Sequence, residues 1–109
     1  MVRSLLYLAR AGRDLEEIFD YIADASGSPV TARRFVAAIE AHCQKLARLP
    51  GAVGRPRPEL GEDVRSSAFG GYVVFFRYLS ADRIEIVAIL SASRDVAPIS
   101  FREGPEPRG

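Results

Sequence analysis

Histidine, cysteine and lysine each occur once in this 109-residue chain, as His42, Cys43 and Lys45. A single cysteine excludes an internal disulfide and suits a reducing cytosol. A metal centre needs three or four converging ligands, and one histidine beside one cysteine cannot supply them. The pair reads as a core cysteine with a histidine on a helix flank, and no metal or cofactor is expected. No apolar run reaches membrane-spanning length, and the N-terminus lacks the apolar core and small-residue cleavage site of a secretory signal. The expected location is cytoplasmic, with no membrane partner. An excess of one charge is missing too, since 15 basic and 14 acidic residues leave a formal +1. That balance argues against an electrostatic, sequence-blind nucleic-acid binder, and no sequence-specific nucleic-acid binding by this chain alone is expected. All the basic residues except Lys45 are arginine. Arginine suits phosphate and carboxylate recognition, although genome composition produces the same bias.

What is present is organised around residues 64–95, three apolar runs separated by two short breaks. Gly70-Gly71 supplies two adjacent residues that tolerate positive φ, as a two-residue hairpin turn requires. Residues 80–83 form a second polar break of turn length. The runs are rich in Val, Ile, Phe and Tyr, which suit a pleated surface, and predict an antiparallel meander over Val64–Phe69, Tyr72–Leu79 and Ile84–Leu90. In the last strand Ile84, Ile86, Ala88 and Leu90 should share one face, opposite Glu85, Val87, Ile89 and Ser91. In the middle strand both faces are apolar, with Arg77 the one interruption. A sheet with one wet face alternates more cleanly, so cover is expected on both sides.

Upstream, Val2–Ala9 predicts a short N-terminal strand whose neighbour is left open. Leu15, Ile18, Phe19, Ile22 and Ala25 then recur at helical spacing. Asp14, Glu16, Glu17, Asp20 and Asp24 lie on or near the opposite, solvated face, those in the first turns complementing the helix dipole. After a break at residues 26–29, Ser28 is a natural N-cap and Pro29 fits the first helical position. Ala32, Phe35, Val36, Ile39, Cys43 and Leu46 form the stripe of a second helix, with Phe35 and Ile39 expected to face the sheet. Two amphipathic helices with a tight connection predict an antiparallel helical hairpin. The fold class is α+β: an N-terminal strand and a helical hairpin packed on an antiparallel sheet. A Pro- and Gly-rich connector covers residues 50–63. Residues 1–103 make one domain, and 104–109 a disordered tail without apolar side chains.

Four segments in register resemble the ParE branch of the RelE/ParE toxins of bacterial type II toxin–antitoxin modules. They are DLEEIFDYIA (Asp14–Ala23), SPVTARRFVAAIEAHCQKLARLPGAVGRPRPEL (Ser28–Leu60), VRSSAFGGYVVFFRY (Val64–Tyr78) and IEIVAILSASRD (Ile84–Asp95). The most distinctive parts are the loop from Leu46 through Pro50 to Arg55, the Val64-Arg65-Ser66 strand start, and Arg94-Asp95. The resemblance implies the fold just described and a cognate antitoxin, ParD-like, in a DNA-binding autorepressor complex. For ParE proper it also implies poisoning of DNA gyrase, in modules tied to plasmid stabilisation.

The superfamily also contains ribosome-dependent mRNA endonucleases of the RelE type. Cleaving RNA at a 2′-OH needs a general base, a general acid and cations around the phosphate. Arg65, Arg77 and Arg94 offer the cations, but the residues after Arg94 include no Tyr, His or Lys, and Tyr72 and Tyr78 read as core. No catalytic residue is assigned. The expectation is a toxin that binds its target; the alternatives are an endoribonuclease and an inactive partner of its antitoxin. The candidate target- or antitoxin-binding residues are Arg55, Arg57, Arg65, Arg77, Arg94, Asp95 and Phe101. Arg55-Pro56-Arg57-Pro58 reads equally as a contact loop or a stiff connector. Arg94-Asp95 reads as an ion pair at the strand end or as a target contact. Val96, Ile99 and Phe101 are expected to pack back on the sheet, and an antitoxin segment to cover whatever apolar surface is left.

Overall fold

The computed structural model describes residues 2–93, so Arg94, Asp95, Phe101 and the proposed tail boundary lie outside the described residues. The chain runs β1 (Ser4–Tyr7), α1 (Ala9–Ser26), α2 (Pro29–Arg48), β2 (Arg55–Pro56), a 3₁₀ turn (Pro58–Leu60), β3 (Arg65–Phe69), β4 (Tyr72–Ser80) and β5 (Arg83–Ser91). The five strands form one sheet in the order β1-β5-β4-β3-β2, with the two helices packed on it. The meander is antiparallel as the pattern predicts. The N-terminal strand adds to β5 in parallel, Leu5 beside Ile84 and Tyr7 beside Ile86. The sheet is therefore mixed, because two intervening helices carry the chain back before the meander begins.

Local chemistry explains the boundaries. Gly70 and Gly71 take φ of 57° and 85°, closing the two-residue turn between Phe69 and Tyr72, a geometry that costs a residue with a Cβ far more than it costs glycine. Ser28 caps α2, its Oγ accepting from Thr31 N at 3.1 Å, with Pro29 at the first helical position. Helix α1 starts at Ala9, so Asp14 falls in its second turn and the first turn holds no acidic residue. The dipole argument for the Asp14–Glu17 cluster does not apply. The predicted connector over residues 50–63 contains the two-residue β2, a short edge strand in which Pro56 is tolerated.

Two apolar clusters hold the layers. Between helices and sheet lie Leu15, Ile18, Ile39, Cys43, Leu46, Val74, Phe76, Ile84, Ile86 and Ile89. On the far face Leu60, Val64, Phe75, Val87, Ala88 and Leu90 form the second. The expected strict alternation in β5 fails at Val87. Phe75 pairs with Ala88 but Phe76 pairs with Ile86, so Val87 is an extra residue, a β-bulge. Beyond it the faces exchange: Ile89 joins the helix side, while Ala88 and Leu90 turn away. The far face is not left open either, since Phe75 is 1 % exposed and Leu90 3 %. Phe35 faces the sheet as expected, but at its rim. It is half-buried, tilted against Tyr72 with ring centroids 5.6 Å apart and set close to Gly70. It seals the hairpin end of the sheet instead of filling the middle of the core, as Ile39 does.

Candidate contact edge of the sheet

The segment after α2 leads to the β2 edge and is fastened from three directions. Arg3, just before β1, donates through Nη1 to Leu49 O and through Nη2 to Gly51 O, each at 2.8 Å, with its guanidinium 4.3 Å from the Tyr78 ring centroid. The charge lies where the C-terminal carbonyls of α2 favour a cation. Tyr78 Oη accepts from Val53 N at 3.3 Å. From β3, Arg65 donates through Nε to Val53 O at 2.7 Å and through Nη2 to Gly54 O at 3.1 Å. Gly54 has a φ of 84°, and a Cβ there would fall 2.7 Å from the Phe76 ring and 2.9 Å from Ser66 O. Only glycine fits that close approach. The result is a rigid loop delivering Arg55 and Pro56 to the outer edge of the sheet.

The four predicted arginines that the structure describes therefore fall into different environments. Arg55 is exposed on β2. Arg57 donates to Glu59 at 2.7 Å, leans on the Phe75 ring at 5.7 Å and reaches toward Ser66 Oγ at 3.5 Å. The Arg57 hydrogen bond holds the exposed Glu59 carboxyl below the usual carboxylate range. Arg65 is taken up by the loop carbonyls. Arg77 is paired on the far face with Glu85, Nη2 at 2.6 Å and Nε at 3.1 Å from Oε1. Both partners of that pair are largely buried, so the ion pair fills a low-polarity site. Arg55 and Arg57 come together at one edge; Arg65 and Arg77 are directed elsewhere.

One functional-looking residue escaped sequence reasoning. Asp14, expected on a solvated helix face, is only 9 % exposed. Its Oδ2 accepts from Ile89 N at 2.9 Å, two residues past the bulge, and lies 3.9 Å from Arg10 Nε. Beside it opens a groove of about 400 Å³ walled by Glu17, Ile18, Tyr21, Tyr72 and Leu90. Burial first, then the neighbouring Tyr21, raises the Tyr72 hydroxyl above its ordinary pKa. His42 is half-buried on α2, 2.8 Å from Ser67 Oγ through Nε2 and stacked on Phe69 at 4.9 Å. Burial, with Lys45 adding to it, lowers its pKa. Cys43 is fully buried, which pushes its thiol up to about 11, and the same burial raises its neighbour Tyr7. A thiol held neutral in this way is a packing group and not a nucleophile. Among the described residues no group of three His, Cys, Asp or Glu is placed to hold a metal ion, and no helix is long and apolar enough to cross a membrane.

A family model described as the ParE toxin of type II toxin–antitoxin system, parDE, matches residues 5–96. A solved structure of a chromosomal ParDE toxin–antitoxin system from P. aeruginosa is similar, with TM-score 0.71 and 25 % identity over 83 % of this chain and 96 % of that one. The toxin–antitoxin complex RelBE2 from Mycobacterium tuberculosis shares the fold, with TM-score 0.61 and 23 % identity over 84 % of this chain and 99 % of that one. No curated protein sequence matches.

Proposed function

This chain belongs to the ParE family of type II toxins, and on that footing we propose that it arrests bacterial growth by binding and poisoning DNA gyrase. A cognate ParD-like antitoxin neutralises it in the cytoplasm. The observation that carries the reading is the family match across residues 5–96. The similar P. aeruginosa structure, itself a ParDE system, supports the antitoxin partner. Binding in place of catalysis is supported by where the polar groups go. Arg57, Arg65 and Arg77 bond to groups of their own chain, and His42 is engaged with Ser67 and Phe69. A phosphate-cleaving site needs an acid, a base and cations converging on one volume. Among the described residues these groups lie on separate faces and edges. Arg55, with Arg57 beside it on a braced loop, is the contact residue on this reading. The braced backbone leading to Arg55 leaves only its side chain to be ordered on binding.

Expression of the chain without its partner tests the reading. Filamentation with a DNA-damage response is the expected outcome. Growth arrest with intact DNA and rapid mRNA cleavage at the ribosomal A site would instead make it an endoribonuclease. Indifferent growth at verified soluble expression would make it an inactive partner of its antitoxin.

A further inference from the structure

The outer side of the helical hairpin carries a groove of about 460 Å³ between α1 and α2, lined by no strand residue. Leu15, Phe19 and Val36 supply its apolar surface, and Glu16, Asp20 and Glu40 its rim. On α2 the groove residues Val36 and Glu40 share a stripe with Arg33, three residues earlier, and all three project from one side of the helix. Arg33 and Glu40 are exposed. Among the described residues neither they nor Glu16 and Asp20 take part in an ion pair. Arg33 and Glu40 are about 10 Å apart along the helix axis, and their midpoint falls beside Val36.

We propose that this face is a contact with a second copy of the chain, α2 packing antiparallel on the partner protomer's α2 about a two-fold axis beside Val36. A two-fold contact requires one patch to complement itself. Here a base three residues before Val36 and an acid four residues after it flank an apolar centre, so a two-fold axis midway between them sets Arg33 of each protomer against Glu40 of the other. Val36 meets its own symmetry mate, with Phe19 closing the flank, and the two hairpins form a four-helix arrangement. Glu16 and Asp20 stay at the rim, where water hydrates them. A rim of acids alone would call for a foreign basic helix; the presence of both signs on one stripe selects the chain itself. The inference goes beyond the toxin reading and does not depend on it.

Analytical ultracentrifugation of the full chain, from low to high micromolar concentration, tests it. The expected result is a monomer–dimer equilibrium that weakens with added salt. Arg33→Glu and Glu40→Arg should each raise the dimer dissociation constant about tenfold or more, and the two together should restore it to within about threefold. Both positions are exposed, so thermal melts of the variants should match the parent. Independently, Val36→Cys should form a disulfide-linked dimer on mild oxidation far faster than Val30→Cys. A chain that stays monomeric at the highest concentration overturns the proposal. So does association beyond a dimer, a charge swap that fails to restore affinity, or cross-linking at Val30 as fast as at Val36.

Discussion

Arg55 and Arg65 stand on neighbouring strands at one edge of the sheet, and their side chains are used in opposite ways. Arg65 closes two hydrogen bonds on the carbonyls of Val53 and Gly54. Arg55, the very next residue in the chain after that loop, is exposed at the rim. The first cation builds the platform on which the second is displayed. Charge alone does not mark a contact residue; what matters is whether the fold has already consumed the hydrogen-bonding capacity of the group.

The comparison breaks most severely if the platform loses its foundation. Phe76 is fully buried and lies directly beneath Gly54. Phe76→Ala should cost about 3–5 kcal/mol, a large part of the stability of a domain this size, and urea unfolding would register it. Phe35→Ala, at a half-buried site, should cost about half as much. Equal losses would mean that Phe35 belongs to the central core after all.

Arg77→Met comes next. It strands Glu85 in a largely buried position without its partner, and should cost about 2–3 kcal/mol. Arg65→Ala should cost about 1–2 kcal/mol for its two hydrogen bonds, with a sharper local effect. Hydrogen exchange at residues 51–54 should accelerate while the β4 and β5 amides keep their protection. Uniform acceleration would show that Arg65 supports the whole fold and not the loop in particular.

His42 sets a smaller, pH-dependent effect. Its folded-state pKa lies below the ordinary value of about 6.5, so the unfolded chain takes up the proton first. Stability is full above that value, declines as pH falls through the window below it, and levels off once the folded ring is also protonated. His42→Gln should flatten this part of the pH profile. A profile that stays sloped would assign the titration to another group.

Much of this arrangement was legible in the sequence, and the exceptions have physical causes. The period-3.6 stripes, Ser28-Pro29 and Gly70-Gly71 announce helices, cap and turn, since each of these is a local preference. The bulge at Val87 is a mismatch between two strands, and neither strand alone encodes it. Asp14 sits among other acids in an ordinary-looking helical pattern; its burial follows only once the Ile89 N–H is known to point at it. The partners of Arg3 and Arg65 are backbone carbonyls, which every residue possesses and no motif advertises. Fold class was therefore readable, while the sorting of arginines into braces and contacts was not.

Arg55→Ala should be the mildest change to the folded chain, within about 0.5 kcal/mol of the parent, as for exposed positions generally, and yet it should weaken target binding. The deciding measurement is a cleavage and supercoiling assay with purified DNA gyrase, ATP and plasmid, run with the full chain and its Arg55→Ala variant. Binding-type poisoning predicts accumulation of linear, gyrase-linked DNA and loss of supercoiling with the parent chain. The stably folded variant should need a higher concentration for the same effect. Unimpeded supercoiling and no cleaved DNA at saturating toxin would contradict the account.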